Sequence, residues 1–291
     1  FAFYSMFGFQ RVGDLIWAAA DNQTRGFLIG ATSGRTTLAG EGLQHCDGHS
    51  QLLASAVPSC VSYDPTYAYE LAVIVQDGLR RMLSEQHNVI YYITVTNENY
   101  AMPALPAGVN DGIVRGMYLL RESAGTGPKV QLLGCGAILR EVLAAAELLQ
   151  ADYGVASDVW SVTSFTQLAR EGAAVQRKNR LHPGLAPEAS YVERCLGERQ
   201  GPVIAATDYV RAFADQIREL VPRRYSVLGT DGFGRSDTRE NLRRHFEVDR
   251  HHVVVAALSA LAAERAIEAS RVSDAITRYG VDPERVAPSE V

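Results

Sequence analysis

Two kinds of hydrophobic run alternate along this chain. Short β-branched or aromatic runs, at residues 27–29, 60–63 and 89–95, are separated by longer runs with helical spacing. The alternation starts again at residues 129–134 and continues through the rest of the sequence. This order of elements favours parallel sheets covered by helices. We therefore predict an α/β fold with two consecutive, mainly parallel, doubly wound domains.

The same periodicity gives the expected elements. Strands are predicted at residues 27–29, 60–63, 89–95, 129–134, 159–162, 203–206 and 225–228, and helices at 9–23, 67–83, 138–150, 209–220 and 253–269. Residues 171–200 are polar and have no clear period, so the sequence predicts no element there.

A break in this pattern indicates the domain boundary. Two prolines and a glycine interrupt residues 102–108, and residues 120–128 have the composition of a loop. We predict a first domain at 1–105, a connector at 106–128 and a second domain at 129–291. A chain of 291 residues is long enough for two ordinary domains.

Composition excludes several classes of protein. The net charge of -5 argues against nucleic acid as a partner, because phosphate binding requires a basic face. No apolar run approaches the roughly 18 residues that span a bilayer, so no membrane segment is predicted. The four cysteines form no paired motif, which is typical of a reducing cytoplasm. The apolar start without a methionine suggests that the chain begins inside a folded domain.

Two glycine-rich segments resemble cofactor motifs only in part. Gly134-Cys135-Gly136 follows a strand and opens a helix, but Leu139 stands where a dinucleotide fingerprint has its third glycine. A tight turn between strand and helix explains these glycines without a cofactor. The loop 30–42 lacks the Gly-Lys-Ser/Thr ending of a nucleoside-triphosphate site, and we expect a mobile or ligand-facing loop.

Four potential metal ligands crowd into one short loop: His45, Cys46, Asp47 and His49. They are too close in sequence to surround one ion, and no second ligand pair with suitable spacing follows. Acid–base catalysis or substrate binding suits the histidines better, since imidazole titrates near neutral pH. From the residues alone, ordinary loop histidines explain the pattern equally well.

Several longer segments together resemble one enzyme family. They are residues 4–9, 33–49, 63–70, 92–100 and 228–246, the last with the run Leu-Gly-Thr-Asp-Gly-Phe-Gly-Arg-Ser-Asp. The family is the homodimeric decarboxylating component of bacterial pyruvate dehydrogenase complexes, a thiamin-diphosphate enzyme. The resemblance covers essentially the whole chain but only the C-terminal part of that enzyme. It implies a transketolase-like fold, with the end of the pyrimidine-binding domain followed by the C-terminal domain.

The resemblance also implies roles for three residues. Phe7 matches the aromatic residue that stacks on the aminopyrimidine ring of thiamin diphosphate, and Tyr4 matches a tyrosine that helps to hold the substrate carboxylate. His45 matches a histidine that binds the pyruvate-derived part of the intermediate. Without the resemblance, Tyr4 and Phe7 would be read as core aromatics. Ala101 and Cys46 depart from the family pattern, where a histidine and an acidic residue are more usual.

The implied activity is decarboxylation of pyruvate and transfer of the acetyl unit to the lipoyl group of the acetyltransferase core. In the family, a separate N-terminal domain holds the diphosphate and Mg²⁺, and the activating glutamate precedes the matched residues. We therefore expect the full-length enzyme to be a homodimer and this chain alone to be inactive. The alternatives are another transketolase-like thiamin enzyme, or a dimerisation or docking module without catalysis.

Overall fold

The computed structural model describes all residues, Phe1–Val291. Its nine strands are β1 (Ala2–Tyr4), β2 (Gly26–Ala31), β3 (Cys60–Tyr63), β4 (Ile90–Thr94), β5 (Met117–Arg121), β6 (Lys129–Gly134), β7 (Ala156–Val162), β8 (Val203–Ala206) and β9 (Tyr225–Leu228). Its eleven α-helices are α1 (Ser5–Asp21), α2 (Ser50–Ser55), α3 (Ala68–Leu79), α4 (Asn110–Arg115), α5 (Leu139–Tyr153), α6 (Phe165–Leu181), α7 (Tyr191–Leu196), α8 (Arg211–Asp215), α9 (Arg239–His245), α10 (Arg250–Ala263) and α11 (Ser270–Arg278).

The strands form two separate sheets. The first has the order β1-β2-β4-β3 and is entirely parallel, and the second has the order β5-β7-β6-β8-β9. In the second sheet only β5 is antiparallel to its neighbour. These sheets confirm the predicted α/β class with mainly parallel strands. We call the elements β1 to β4 the N-terminal half and the elements from β5 onward the C-terminal half.

Helices cover both faces of the second sheet. On β6, Leu132 packs into a core with α5 and α10, whereas the next residue, Leu133, packs into a core with α6 and α8. Neighbouring residues of a strand point to opposite faces, so both faces are buried. The first sheet is arranged in the same way, with Tyr91 and Tyr92 of β4 in different cores.

The structure differs from several predicted elements. The segment 106–128 contains helix α4 and strand β5, and β5 joins the second sheet. The domain boundaries proposed at 105 and 129 remain predictions. The unassigned residues 171–200 contain most of α6 and all of α7. The buried residues of α6 all lie at or before Gly172, so the remainder of the helix has no apolar period to detect.

Two predicted helices are interrupted. The segment 209–220 forms only the short α8 and a separate 3-10 turn at Arg218–Leu220. The segment 253–269 ends as a helix at Ala263, because Arg265 adopts a left-handed conformation with φ of 60° that reverses the chain. Helix α1 begins at Ser5, four residues earlier than predicted.

The middle of the loop 30–42, which was expected to be mobile or ligand-facing, is buried, whereas residues 39–41 are exposed. Ser33, Thr36 and Thr37 have no exposed surface, and Leu38 is also buried. Side chains of the C-terminal half hold this part of the loop: the Thr36 N–H donates to Asp208 at 3.2 Å, and the Thr37 carbonyl accepts from Arg239 at 2.6 Å. Glycine content alone could not reveal these partners, because they lie far away in the sequence. No helix of the structure combines the length and the hydropathy needed to cross a bilayer.

Candidate active site

The fold brings Tyr4, Phe7 and His45 together. The His45 ring centroid lies 5.2 Å from that of Tyr4 and 5.2 Å from that of Phe7, and the Tyr4 and Phe7 centroids are 6.1 Å apart. The sequence does not place His45 near the other two, which lie about forty residues earlier. We call these three residues the aromatic cluster.

Parallel strands explain the position of the cluster. Tyr4 is the last residue of β1, and helix α1, which carries Phe7, follows at once. Tyr4 pairs in register with Ala31 at the end of β2, so the loop toward His45 leaves from the same edge. Ligands of open parallel sheets bind at this carboxyl edge. The three side chains therefore meet where the fold favours a site.

The cluster is partly open to solvent. Tyr4 is 52% exposed, while Phe7 and His45 are half-buried. The guanidinium carbon of Arg11 lies over the Phe7 ring, 4.1 Å from its centroid. Sequence reasoning missed Arg11, although its spacing of four residues from Phe7 on one helix was a detectable signal. The site thus combines a phenol, an imidazole and an exposed cation.

A buried carboxylate fixes the chain just after His45. Asp47 accepts hydrogen bonds from the backbone N–H groups of His49 at 3.1 Å and Ser50 at 2.9 Å, and from the Ser50 hydroxyl. The Ser50 hydroxyl in turn accepts from Tyr92 at 2.8 Å. Asp47 therefore anchors the start of α2 and restricts the position of His45 two residues before it.

His49 has different surroundings from His45. It is half-buried at the start of α2 and makes none of the ring contacts of the aromatic cluster. Burial lowers the pKa of His49; the nearby Asp47 carboxylate opposes this shift and the Arg35 cation adds to it. No three His, Cys, Asp or Glu side chains are grouped so that they could hold a metal ion.

The turn Gly134-Cys135-Gly136, which resembles part of a dinucleotide motif, contacts a carboxylate of the N-terminal half. Asp64, at the end of β3, is buried and accepts hydrogen bonds from the Thr94 hydroxyl at 2.6 Å and the Cys135 thiol at 3.4 Å. Burial raises the pKa of Asp64 to about 7, against the effect of these two hydrogen bonds. Gly136 has a φ of 52° and lies directly beside the carboxylate. The turn thus serves as a contact between the two halves.

The segment 230–240, which is rich in charged and turn residues, also lies between the halves. Its Thr230 and Gly232 carbonyls both accept hydrogen bonds from Arg35 of the N-terminal half. Helix α9 follows, and its N-cap is Thr238, whose hydroxyl accepts from the Asn241 N–H at 3.3 Å.

Two family models match most of the chain. Residues 1–103 match the middle domain of the pyruvate dehydrogenase E1 component, and residues 116–249 match the transketolase-like C-terminal domain. The chain is 62% identical to the pyruvate dehydrogenase E1 component of Pseudomonas aeruginosa, over 99% of its own length and 33% of the relative. Identity to the same component of Escherichia coli K12 is 58%, over 99% of this chain and 32% of the relative.

Solved structures show the same fold. Transketolase from Campylobacter jejuni superimposes with a TM-score of 0.67 at 19% identity, over 89% of this chain and 35% of that one. Transketolase from Leishmania mexicana superimposes with a TM-score of 0.66 at 16% identity, over 92% of this chain and 34% of that one. These identities support a transketolase-like fold and nothing narrower. The chain spans about a third of the length of the curated relatives that it matches, and over nearly its whole length it is similar to the pyruvate dehydrogenase E1 component.

Proposed function

We propose that this chain is part of an enzyme that decarboxylates pyruvate on thiamin diphosphate. The enzyme then transfers the acetyl unit to the lipoyl group of an acetyltransferase core. The relatives are named as the E1 component of pyruvate dehydrogenase, which supports the reaction class. The structural observation that carries the proposal is the assembly of Tyr4, Phe7 and His45 at one sheet edge.

The aromatic cluster suits a flat heteroaromatic cofactor. Phe7 is a half-buried ring at the edge of the sheet, and aromatic pairs gain energy beyond simple area burial. Phe7 would pack on the aminopyrimidine ring. Thiamin diphosphate supplies the nucleophilic carbon and the electron sink that decarboxylation needs. We assign its diphosphate and Mg²⁺ to the part of the relatives that lies outside these residues.

Two of this chain's side chains would bind the substrate. The Tyr4 hydroxyl is exposed and can donate a hydrogen bond to the carboxylate of pyruvate. The His45 imidazole can donate to the oxygen on which negative charge develops, the kind of positioned donor that stabilises a transition state. Arg11 adds a nearby positive charge that attracts the anionic substrate.

The site is incomplete within these residues. A reaction through a carbanion-like state must exclude water, yet Tyr4 is 52% exposed. We propose that a homodimer of the longer polypeptide supplies the missing walls and also docks the lipoyl domain. A cytoplasmic location and the lack of nucleic-acid or membrane partners remain predictions from composition.

One experiment tests the proposal. This chain replaces the matching third of the Pseudomonas aeruginosa relative, and carbon dioxide release from pyruvate is measured with thiamin diphosphate and Mg²⁺. We expect the chimera to release carbon dioxide and the isolated chain to release none. Turnover by the isolated chain would show that a complete site exists within these residues. Turnover of a ketose phosphate but not of pyruvate would instead favour a transketolase-like activity.

A further inference from the structure

The C-terminal half holds the segment 40–48, which carries His45. Three hydrogen bonds join this segment to that half: Gly40 N–H to the Asp237 carbonyl at 3.0 Å, the Cys46 thiol to the Arg235 carbonyl at 3.5 Å, and Val210 N–H to the Gly48 carbonyl at 2.7 Å. The hydrogen bonds within the segment span no more than four residues. Apart from the bonds of Asp47 to His49 and Ser50, its hydrogen bonds to the rest of the chain therefore come from the other half.

Arg35 links the segment to the turn at 230–235. Its side chain is buried, with 6% exposed, and its Nη1 donates to the carbonyls of Thr230, at 2.5 Å, and Gly232. On its other side Arg35 packs directly on Gly48, where a Cβ would lie 2.2 Å from Nε. The guanidinium thus fills the space between the turn and the chain three residues after His45.

Charge supports the same arrangement. Burial lowers the pKa of Arg35, while the carboxylates of Asp47 and Asp208 oppose that shift. Asp47 belongs to the N-terminal half and lies two residues after His45, whereas Asp208 follows β8 in the C-terminal half. The buried cation therefore attracts carboxylates of both halves.

A second contact between the halves involves Cys46, the residue directly after His45. A Cβ at Gly234 would lie 2.4 Å from the Cβ of Cys46, and Cys46 itself is 2% exposed. Backbone can approach this closely only where one partner lacks a side chain. The turn at 230–235 thus contacts the residues after His45 in two places. Gly234 contacts Cys46, and Arg35 connects Thr230 and Gly232 to Gly48.

We propose that the C-terminal half positions His45, and that Arg35 and Gly234 are its positioning residues. This rests on the proposed function only in treating His45 as a residue that contacts substrate. The C-terminal half then acts on catalysis through geometry: its Gly234 packs against Cys46, and its carbonyls of Thr230 and Gly232 accept from Arg35 of the N-terminal half. A small displacement of a positioned donor is enough to weaken its effect on a reaction.

The test measures the position of His45 directly. The imidazole resonances of the histidines are recorded by NMR in the 291-residue chain without substrate. The resonances that disappear in the His45→Gln variant are those of His45. The rings of Tyr4 and Phe7, with centroids 5.2 Å away, make these resonances sensitive to small displacements. Arg35→Lys keeps the charge but loses the planar fork, and Gly234→Ala adds one methyl against Cys46.

Arg170→Lys is the matched control. Arg170 is also an arginine of one half that donates to carbonyls of the other, but it contacts residues 55, 57 and 60 instead of the segment 40–48. We expect Arg35→Lys and Gly234→Ala to shift the His45 resonances, and Arg170→Lys to leave them in place. Unchanged resonances in the first two variants, or an equal shift in the control, would overturn the proposal.

If Arg35→Lys does not fold, Gly234→Ala decides alone. The signal requires no turnover, so failure of the proposed function would not mimic either result.

Discussion

Asp64 and Gly136 lie so close together that a Cβ at Gly136 would be 2.1 Å from the Asp64 Oδ2 atom. Asp64 belongs to the N-terminal half and Gly136 to the C-terminal half. The reverse contact is equally close, since a Cβ at Gly34 would lie 2.1 Å from Oδ2 of Asp208. Both glycines have positive φ, and both carboxylates are buried. Each half therefore inserts one carboxylate into a glycine turn of the other.

This close contact predicts the effect of a single methyl group. Gly136→Ala should lower the free energy of unfolding by about 3 kcal/mol, combining left-handed backbone strain with overpacking. Denaturant unfolding measures the change. Gly154→Ala is the matched control, because Gly154 has a similar φ of 61° but would meet nothing within 4 Å. It should cost only about 1 kcal/mol, for the backbone strain. Equal losses would show that the Asp64 contact does not constrain the turn.

The two carboxylates also predict a pH dependence. Burial raises the pKa of Asp64 and of Asp208 to about 7, above the value near 4 of an unfolded chain. The folded state then binds protons more tightly, so these groups stabilise it fully below about pH 4. Their contribution should fall as the pH rises toward 7, by at most about 1.4 kcal/mol per pH unit for each group.

Asp64→Asn isolates this contribution from that of other groups. The variant lacks the titrating proton, so its stability relative to the unchanged chain should increase between about pH 5 and pH 7. Urea unfolding at several pH values gives the comparison. A relative stability that stays constant over this range would mean that Asp64 is ionised in the folded and the unfolded chain alike at all these pH values.

Arg170 stabilises a different part of the contact between the halves, and its substitution should lower the stability of the chain. From α6 its guanidinium donates to the carbonyls of Cys60 at 2.5 Å and of Ser55 and Val57 at 2.9 Å each. Arg170→Met should lower the free energy of unfolding by about 2 kcal/mol, because three partly buried carbonyls lose a charged donor. Arg177→Met, on the exposed side of the same helix, should change it by less than about 0.5 kcal/mol. Similar effects from both variants would contradict this role of Arg170.

Local pattern predicted the strands far better than the contacts between halves. The strands β3, β6, β8 and β9 match their predicted bounds, because buried parallel strands are short continuous apolar runs. Periodicity could not indicate that Asp64 and Asp208 each contact a glycine turn of the other half, since these turns lie far away in the sequence. Helix α6 was missed for a different reason, namely the polar surface that follows Gly172.

The resemblance singled out Tyr4, Phe7 and His45, but pattern alone could not show that the three rings meet. Tyr4 and Phe7 are close in sequence, but only the loop after β2 brings His45 to them. Arg35 was missed because its partners, the carbonyls of Thr230 and Gly232, are backbone groups that leave no signal in side-chain pattern.

We propose that His45, and not His49, acts on the substrate. The most direct measurement is pyruvate turnover by the chimera that carries either His45→Ala or His49→Ala. We predict that His45→Ala lowers turnover by roughly 10²–10³, as expected for loss of one positioned donor, and that His49→Ala lowers it far less. Equal losses from the two changes, or full turnover with His45→Ala, would contradict the account.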